Sequence, residues 1–266
     1  MDHILLMALS TLKNSKEEGK FKVDKYNSEG TYYGQLEPMI MCMHDQMINN
    51  RAGMNGKDKI IVVTLLTNDV KTRTDNFAEE TAYEYYEKII NKICEEQAEI
   101  KPIDIDENSP IDGIRRTVDY IKNLKNRGKL WIDTHGGFRD VALVLEAVIS
   151  LLKVDKIVPD EIFGVRFDNG AANFVSQKDA YYMFEFVSGM NEFINYGRVN
   201  ILDKYYKAFP NVKLNGVLKA MKNISNGTEE CNPNLYLQGL DDLGEKIDEI
   251  GDTDPLMAIW DCPLRK

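Results

Sequence analysis

The alternation of short β-rich apolar runs with long helical patterns over residues 1–170 constrains this chain more than any other feature. Residues 3–9, 59–66, 100–105, 129–134 and 161–167 read as strands. Between them, 35–49, 76–97, 111–126 and 138–152 carry apolar residues at helical spacing. Strand and helix in turn give a mainly parallel sheet covered by helices on both faces, a Rossmann-like α/β fold. From Ser176 onward the alternation stops, and four helical segments punctuated by Gly and Pro follow. The expected organisation is therefore an α/β domain over 1–172 and a small all-helical part over 173–266.

Composition matters where it excludes. A hydrophobic content of 43% is enough for a real core. The formal charge of −10 counts against a protein that coats duplex nucleic acid with a basic face, so a phosphate ligand has to be held locally. Cys42, Cys94, Cys231 and Cys262 are too far apart for a metal knuckle or a disulfide framework, which points to a reducing cytoplasm. No apolar run approaches the roughly 20 residues that span a bilayer. The opening MDHILLMALS lacks a basic start and a cleavage site, and reads as a core strand.

Two connections stand out. Residues 9–34, between the first strand and the first helix, are far longer than the roughly two to six residues usual for such a link. They are either a loop reaching over a ligand at the strand ends or a surface insert. The other is WIDTHGGFRD, Trp131 to Asp140. Gly136 and Gly137 allow positive φ and close approach of the backbone, and the following helix points free N–H groups at the turn. The helix dipole and Arg139 add positive charge there, Phe138 can stack on a base, and Thr134 and His135 offer hydrogen bonds. The plainer alternative is a tight strand-to-helix turn in which Asp140 is an ordinary first-turn acid. The first turn after strand one, Ser10-Thr11-Leu12-Lys13, lies on the same sheet edge if the two strands are parallel neighbours, and together they would line a crevice at a topological switch point. Neither a G-x-G-x-x-G fingerprint nor a P-loop occurs. His135 has no second ligand at metal spacing, so neither a metal nor a cofactor is expected.

TYYGQLEP closing the long loop, IIVVTLLTNDVKT, and above all WIDTHGGFRDVALVLEAVISLL resemble the CRISPR-associated Rossmann-fold (CARF) sensors of type III CRISPR systems, in the branch fused to a HEPN ribonuclease. FVSGMNEFINYGRVNILDKYY resembles the linker helices of that branch, and DPLMAIWDCPLRK its first HEPN helix, so the protein is expected to continue past this sequence. The resemblance implies a homodimer binding cyclic oligoadenylate, tetra- or hexa-adenylate, made by the type III CRISPR complex, with occupancy signalled to an effector domain. It implies phosphate contacts from Gly136, Gly137 and Arg139, and ribose or phosphate contacts from Ser10, Thr11 and Lys13. Leu12, Thr134, His135 and Phe138 complete the expected ligand-binding set. A slow ring-nuclease activity would use Ser10, Thr11 and Thr134 to orient a ribose hydroxyl. Two departures stand beside it: this chain has a doubled Gly in D-T-H-G-G-F-R, and no Arg precedes a His at the R-x4-6-H spacing of the HEPN ribonuclease.

Two other classes remain. One is a Rossmann-like enzyme acting on a soluble nucleotide through His135 or Asp133. The other, a transcription regulator, is disfavoured because helical segments such as LDDLGEKIDEIG are acidic.

Overall fold

The computed structural model of the chain describes residues 1–11, 18–34, 36–74, 80–137, 140–168, 170–208 and 215–250. These fall into two compact units, Met1–Lys178 and Asp179–Lys266.

The first unit runs β1 (Asp2–Ala8), β2 (Gly19–Val23), β3 (Ser28–Tyr32), α1 (Glu37–Ile48), β4 (Lys59–Leu66), α2 (Asn68–Thr72), α3 (Ala82–Cys94), β5 (Ala98–Asp104), α4 (Ile111–Asn123), β6 (Arg127–Asp133), α5 (Val141–Val154), β7 (Glu161–Asp168) and β8 (Ala171–Ser176). The eight strands form one sheet in the order β3-β2-β8-β7-β6-β1-β4-β5. From β7 to β5 every pairing is parallel, which is the Rossmann-like arrangement that the strand and helix alternation implies. β1 and β4 are almost wholly buried apolar runs, as strands covered on both faces must be. Leu5, Met7 and Trp131 pack against Met39 and Met43 of α1 and Tyr86 and Ile90 of α3. Residues one position along β1 face the other way, toward α4 and α5, which pack side by side. α3 starts at Ala82 because Thr81 and Glu84 close a capping box, the Thr81 hydroxyl accepting from Glu84 N–H at 3.2 Å and the Glu84 carboxylate from Thr81 N–H at 2.8 Å.

Part of the long segment after β1 is regular structure rather than loop, while its residues 12–17 lie outside the described residues. Its residues 19–32 are an antiparallel hairpin, β2 and β3, which extends the sheet by pairing β2 in parallel with β8. β8 itself returns antiparallel from β7. α1 is then held by Glu37, a buried carboxylate that accepts from Tyr33 N–H at 3.1 Å, Gly34 N–H at 2.6 Å and the Tyr85 hydroxyl. Glu37 and Tyr85 are thus committed to tying the hairpin's exit to α3, and Tyr86 is buried in the core.

At the opposite, amino-terminal edge of the sheet, buried His3 accepts at Nδ1 from Lys129 N–H (2.9 Å), so Nε2 donates to Asp58 at 2.9 Å. Burial alone would raise the Asp58 carboxyl, but the Met1 ammonium at 2.7 Å, His3 and the Asn55 N–H outweigh it and hold it down at about 2. A depressed carboxyl contributes stability that is present above its unfolded value near 4 and lost as pH falls through its folded value. Acid titration followed by circular dichroism is therefore expected to show an Asp58→Asn variant with a flatter stability profile than wild type between about pH 4 and pH 2; superimposable profiles would show that the pair contributes nothing.

The second unit contains α6 (Lys178–Tyr196), α7 (Asn200–Ala208), α8 (Asn215–Glu229) and α9 (Pro233–Ile250). Phe186, Met190, Leu202, Val217, Met221 and Ile224 are among its core residues. α9 begins with Pro at its first position and is capped by Asn232, whose side-chain oxygen accepts from Leu235 N–H at 3.2 Å. DPLMAIWDCPLRK, expected to start a further helix, lies outside the described residues. Among the described residues no helix is long and apolar enough to cross a membrane.

Candidate functional site

β1 and β6 are parallel neighbours, with Leu5 opposite Trp131 and Met7 opposite Asp133. The strand order reverses here: chain succession moves from β1 through β4 to β5 on one side and from β6 to β7 on the other. In open parallel sheets this is where the loops leaving two adjacent strands diverge and open a crevice beyond the carboxyl ends. The sheet thus brings Ser10 and Thr11 to the same place as Thr134 to Gly137. Their contact is direct, for the Gly137 N–H donates to Ser10 Oγ at 2.6 Å. Leu12, Lys13, Phe138 and Arg139, the other expected contacts, lie outside the described residues.

Both glycines are dictated by local geometry. A Cβ on Gly136 would stand 2.5 Å from the Ala8 carbonyl oxygen and 2.6 Å from Leu36 Cδ2, so the turn can lie against the end of β1 only without a side chain. Gly137 has φ +98°, in the left-handed region that other residues rarely adopt. The doubled glycine is therefore what lets the turn fold back onto β1. The Gly137 N–H, expected to meet a phosphate, is already taken by Ser10. The Gly136 N–H has no acceptor among the described residues.

The remaining residues point in different directions. Thr134 turns toward β7: its N–H and hydroxyl both donate to the Phe163 carbonyl at 2.9 Å, and the hydroxyl lies 3.3 Å from Gln177 Oε1. Its hydroxyl is thus committed away from Ser10, which separates two of the three groups expected to position a ribose. Ser10 Oγ, accepting from Gly137, keeps its own proton to donate. His135 packs edge-on against Phe174 with ring centroids 5.4 Å apart and lies 6.1 Å from Phe167. This seat against the β7–β8 hairpin suits a supporting residue. Asp140 is not a first-turn acid; it occupies the N-cap of α5 and makes no side-chain capping bond, and α5 has no acid in its first turn. Its carboxylate sits at the positive end of the α5 dipole but leaves the helix's first N–H groups uncapped.

One group at this end of β6 was not singled out as a ligand contact by the sequence. Asp133 is fully buried. Its Oδ1 accepts from His135 N–H at 2.9 Å, and its Oδ2 has no hydrogen-bond partner among the described residues. Burial pushes this carboxyl up to about 7, the His135 N–H opposing only in part. Alternation along LWID places it on the Trp131 face, a signal present in the sequence. The contributions of Leu36 and Gln177, by contrast, come from distant segments and carry no local signature. Among the described residues no group of three or more His, Cys, Asp or Glu side chains could hold a metal ion.

No family model and no curated protein matches this chain. Among solved structures it is similar to Enterococcus italicus Csm6 bound to cyclic hexa-2′-fluoro-hexa-dAMP, at 13% identity over 95% of this chain and 70% of that one, with a TM-score of 0.41. Likeness at that level assigns neither activity nor ligand.

Proposed function

We propose that the β1–β6 crevice binds a cyclic oligoadenylate, the tetra- or hexa-adenylate ring, in a pocket completed by a second copy of the chain, and that occupancy is passed to an effector domain. The observation that carries this reading is the bonded pair of loops at the switch point, Ser10 and the Gly136–Gly137 turn. They stand at the start of α5, whose N-cap residue Asp140 makes no side-chain bond to the helix's first N–H groups. A chain with a net charge of −10 can hold a phosphate only where backbone N–H groups, a helix dipole and a cation converge. The sequence D-T-H-G-G-F-R adds Arg139, whose planar fork suits phosphate oxygens. A ring of identical nucleotides has the symmetry of a two-fold interface, so one patch serves twice. Slow cleavage of the ring would draw on the Ser10 proton, with Thr134 in a supporting place. An enzyme using Asp133 on a soluble nucleotide is the weaker reading, because a fully buried carboxyl does not touch a substrate.

Isothermal titration with cyclic tetra-adenylate, cyclic hexa-adenylate and adenosine monophosphate tests the proposal. One of the rings is expected to bind at micromolar affinity or tighter, and the mononucleotide not at all. Absence of binding by both rings would refute it. Arg139→Ala is expected to weaken ring binding by about 100-fold, the equivalent of about 3 kcal/mol for a charged hydrogen bond, with the melting temperature unchanged. Binding equal to wild type would remove Arg139 from the site.

A further inference from the structure

We infer that the cavity beyond the carboxyl ends of β4 and β5 is a binding site for an aliphatic polyamine. The inference is independent of the ring-binding reading, for none of the crevice residues lines this cavity.

The backbone opens it. β4 and β5 stay bonded one residue past their last pair, Leu66 opposite Asp104, because the Ile105 N–H donates to the Leu66 carbonyl at 2.8 Å. The chain then turns into α2 on one side and toward α4 on the other, and a cavity of about 460 Å³ is left between them. That volume suits a small molecule. Buried Leu66 and Ile105 supply its apolar wall. Thr67 also lines it, is only 5% exposed, and makes no capping bond although it is the N-cap of α2. A threonine at such a position ordinarily gives its hydroxyl oxygen to the helix's first N–H groups. Here the hydroxyl has no partner among the described residues. A hydroxyl this far from open water costs stability unless something in the cavity meets it.

The charges identify the ligand. Lys71 and Arg116 line the cavity, and both are already engaged: Lys71 pairs with Asp104 at 2.8 Å, and Arg116 gives Nε to Asp112 at 2.9 Å and Nη2 to the Asp104 carbonyl at 2.7 Å. Asp69, Asp106 and Glu107 line the same cavity and have no cationic partner among the described residues. Asp106 uses only Oδ1, which accepts from the Asn108 N–H at 2.9 Å. An anion would face these unneutralised carboxylates, so a phosphate is disfavoured. A metal ion needs its ligands to converge on one point, and among the described residues no group of three or more acidic, His or Cys side chains could hold one. What fits is a cation whose charge is divided among several N–H donors with apolar carbon between them. An aliphatic polyamine is built in this way. Its ammonium groups donate to the carboxylates, one of them also to Thr67 Oγ1, while its methylenes lie on Leu66 and Ile105. Three unpaired carboxylates match a triamine better than a diamine.

Isothermal titration of the full chain tests this without any nucleotide, with spermidine, putrescine and magnesium chloride as titrants in about 20 mM salt. Spermidine is expected to bind once per chain with a Kd of about 100 µM or tighter, roughly tenfold tighter than putrescine, and equimolar magnesium is expected not to displace it. The double variant Asp69→Asn, Glu107→Gln is expected to weaken spermidine at least about 30-fold, and Thr67→Val about tenfold. Both carboxylates are exposed, so the double variant keeps the wild-type melting temperature. Asp241→Asn, Glu245→Gln, which removes the same two charges from α9, is the control and is expected to bind as wild type does. Absence of spermidine binding overturns the inference. So does a control variant that loses as much affinity as the cavity variant, which would show a general attraction to an acidic chain, and so does displacement by equimolar magnesium.

Discussion

Between pH 4 and pH 8 the wild-type protein is expected to lose about 4 kcal/mol of stability through Asp133, a loss that an Asp133→Asn variant avoids. The direction follows from the burial of the carboxyl. Its folded value of about 7 lies above the ordinary 3.8, so folding favours the neutral acid. That contribution is complete below the unfolded value and disappears as pH rises through the folded one. Carboxyls held low, such as Asp58 and Asp203, titrate below this window and do not mask it. Asparagine keeps an oxygen to accept from the His135 N–H and never ionises. Urea denaturation of both proteins at pH 4 and pH 8 gives the difference directly. Profiles that fall in parallel would mean that Asp133 is solvated in solution.

Gly136→Ala is expected to cost about 3 kcal/mol and to lower the melting temperature by about 6 to 12 °C. The added methyl would meet the Ala8 carbonyl at 2.5 Å, and a backbone oxygen in mid-sheet cannot swing aside as a side-chain end can. The turn must therefore lift off β1, which also breaks the bond from Gly137 to Ser10. Gly56→Ala serves as the control, since a methyl there meets nothing within 4 Å, and its effect is expected to stay within about 0.5 kcal/mol. Equal melting temperatures for the two variants would show that the turn yields without cost. If the crevice is the ligand site, Gly136→Ala also weakens ring binding, because Ser10 and the turn no longer share one position.

The parallel half of the sheet was legible because its central strands β1 and β4 are long and apolar on both sides, as in KIIVVTLL, and periodic helices alternate with them. β2, β3 and β8 were not. GKFKV and SEGTY are short and carry Lys, Glu and Gly, and AANFVS is made largely of small residues. Their extended form comes from pairing with one another, which no local pattern encodes. The site divides in the same way. That Ser10 and the Gly136–Gly137 turn meet follows from strand order, and strand order follows from the alternation. That Thr134 would turn its hydroxyl to the Phe163 carbonyl, or that Ser10 would take the Gly137 N–H, depends on sub-ångström placement of chain segments far apart in sequence.

The hairpin beside β8 also sets an order of assembly. β2 and β3 leave the ribosome well before β8, yet β2's partner across Lys20–Ala171, Phe21–Ala172 and Lys22–Asn173 belongs to that last strand of the unit. β1, β4 and β5 can come together as soon as β5 is made, whereas the hairpin has to wait with one side unpaired until synthesis passes β8. An edge left open for that long invites pairing with another chain. Lys20, Lys22 and Glu29 along the hairpin set charges against such encounters while the nascent protein is still incomplete.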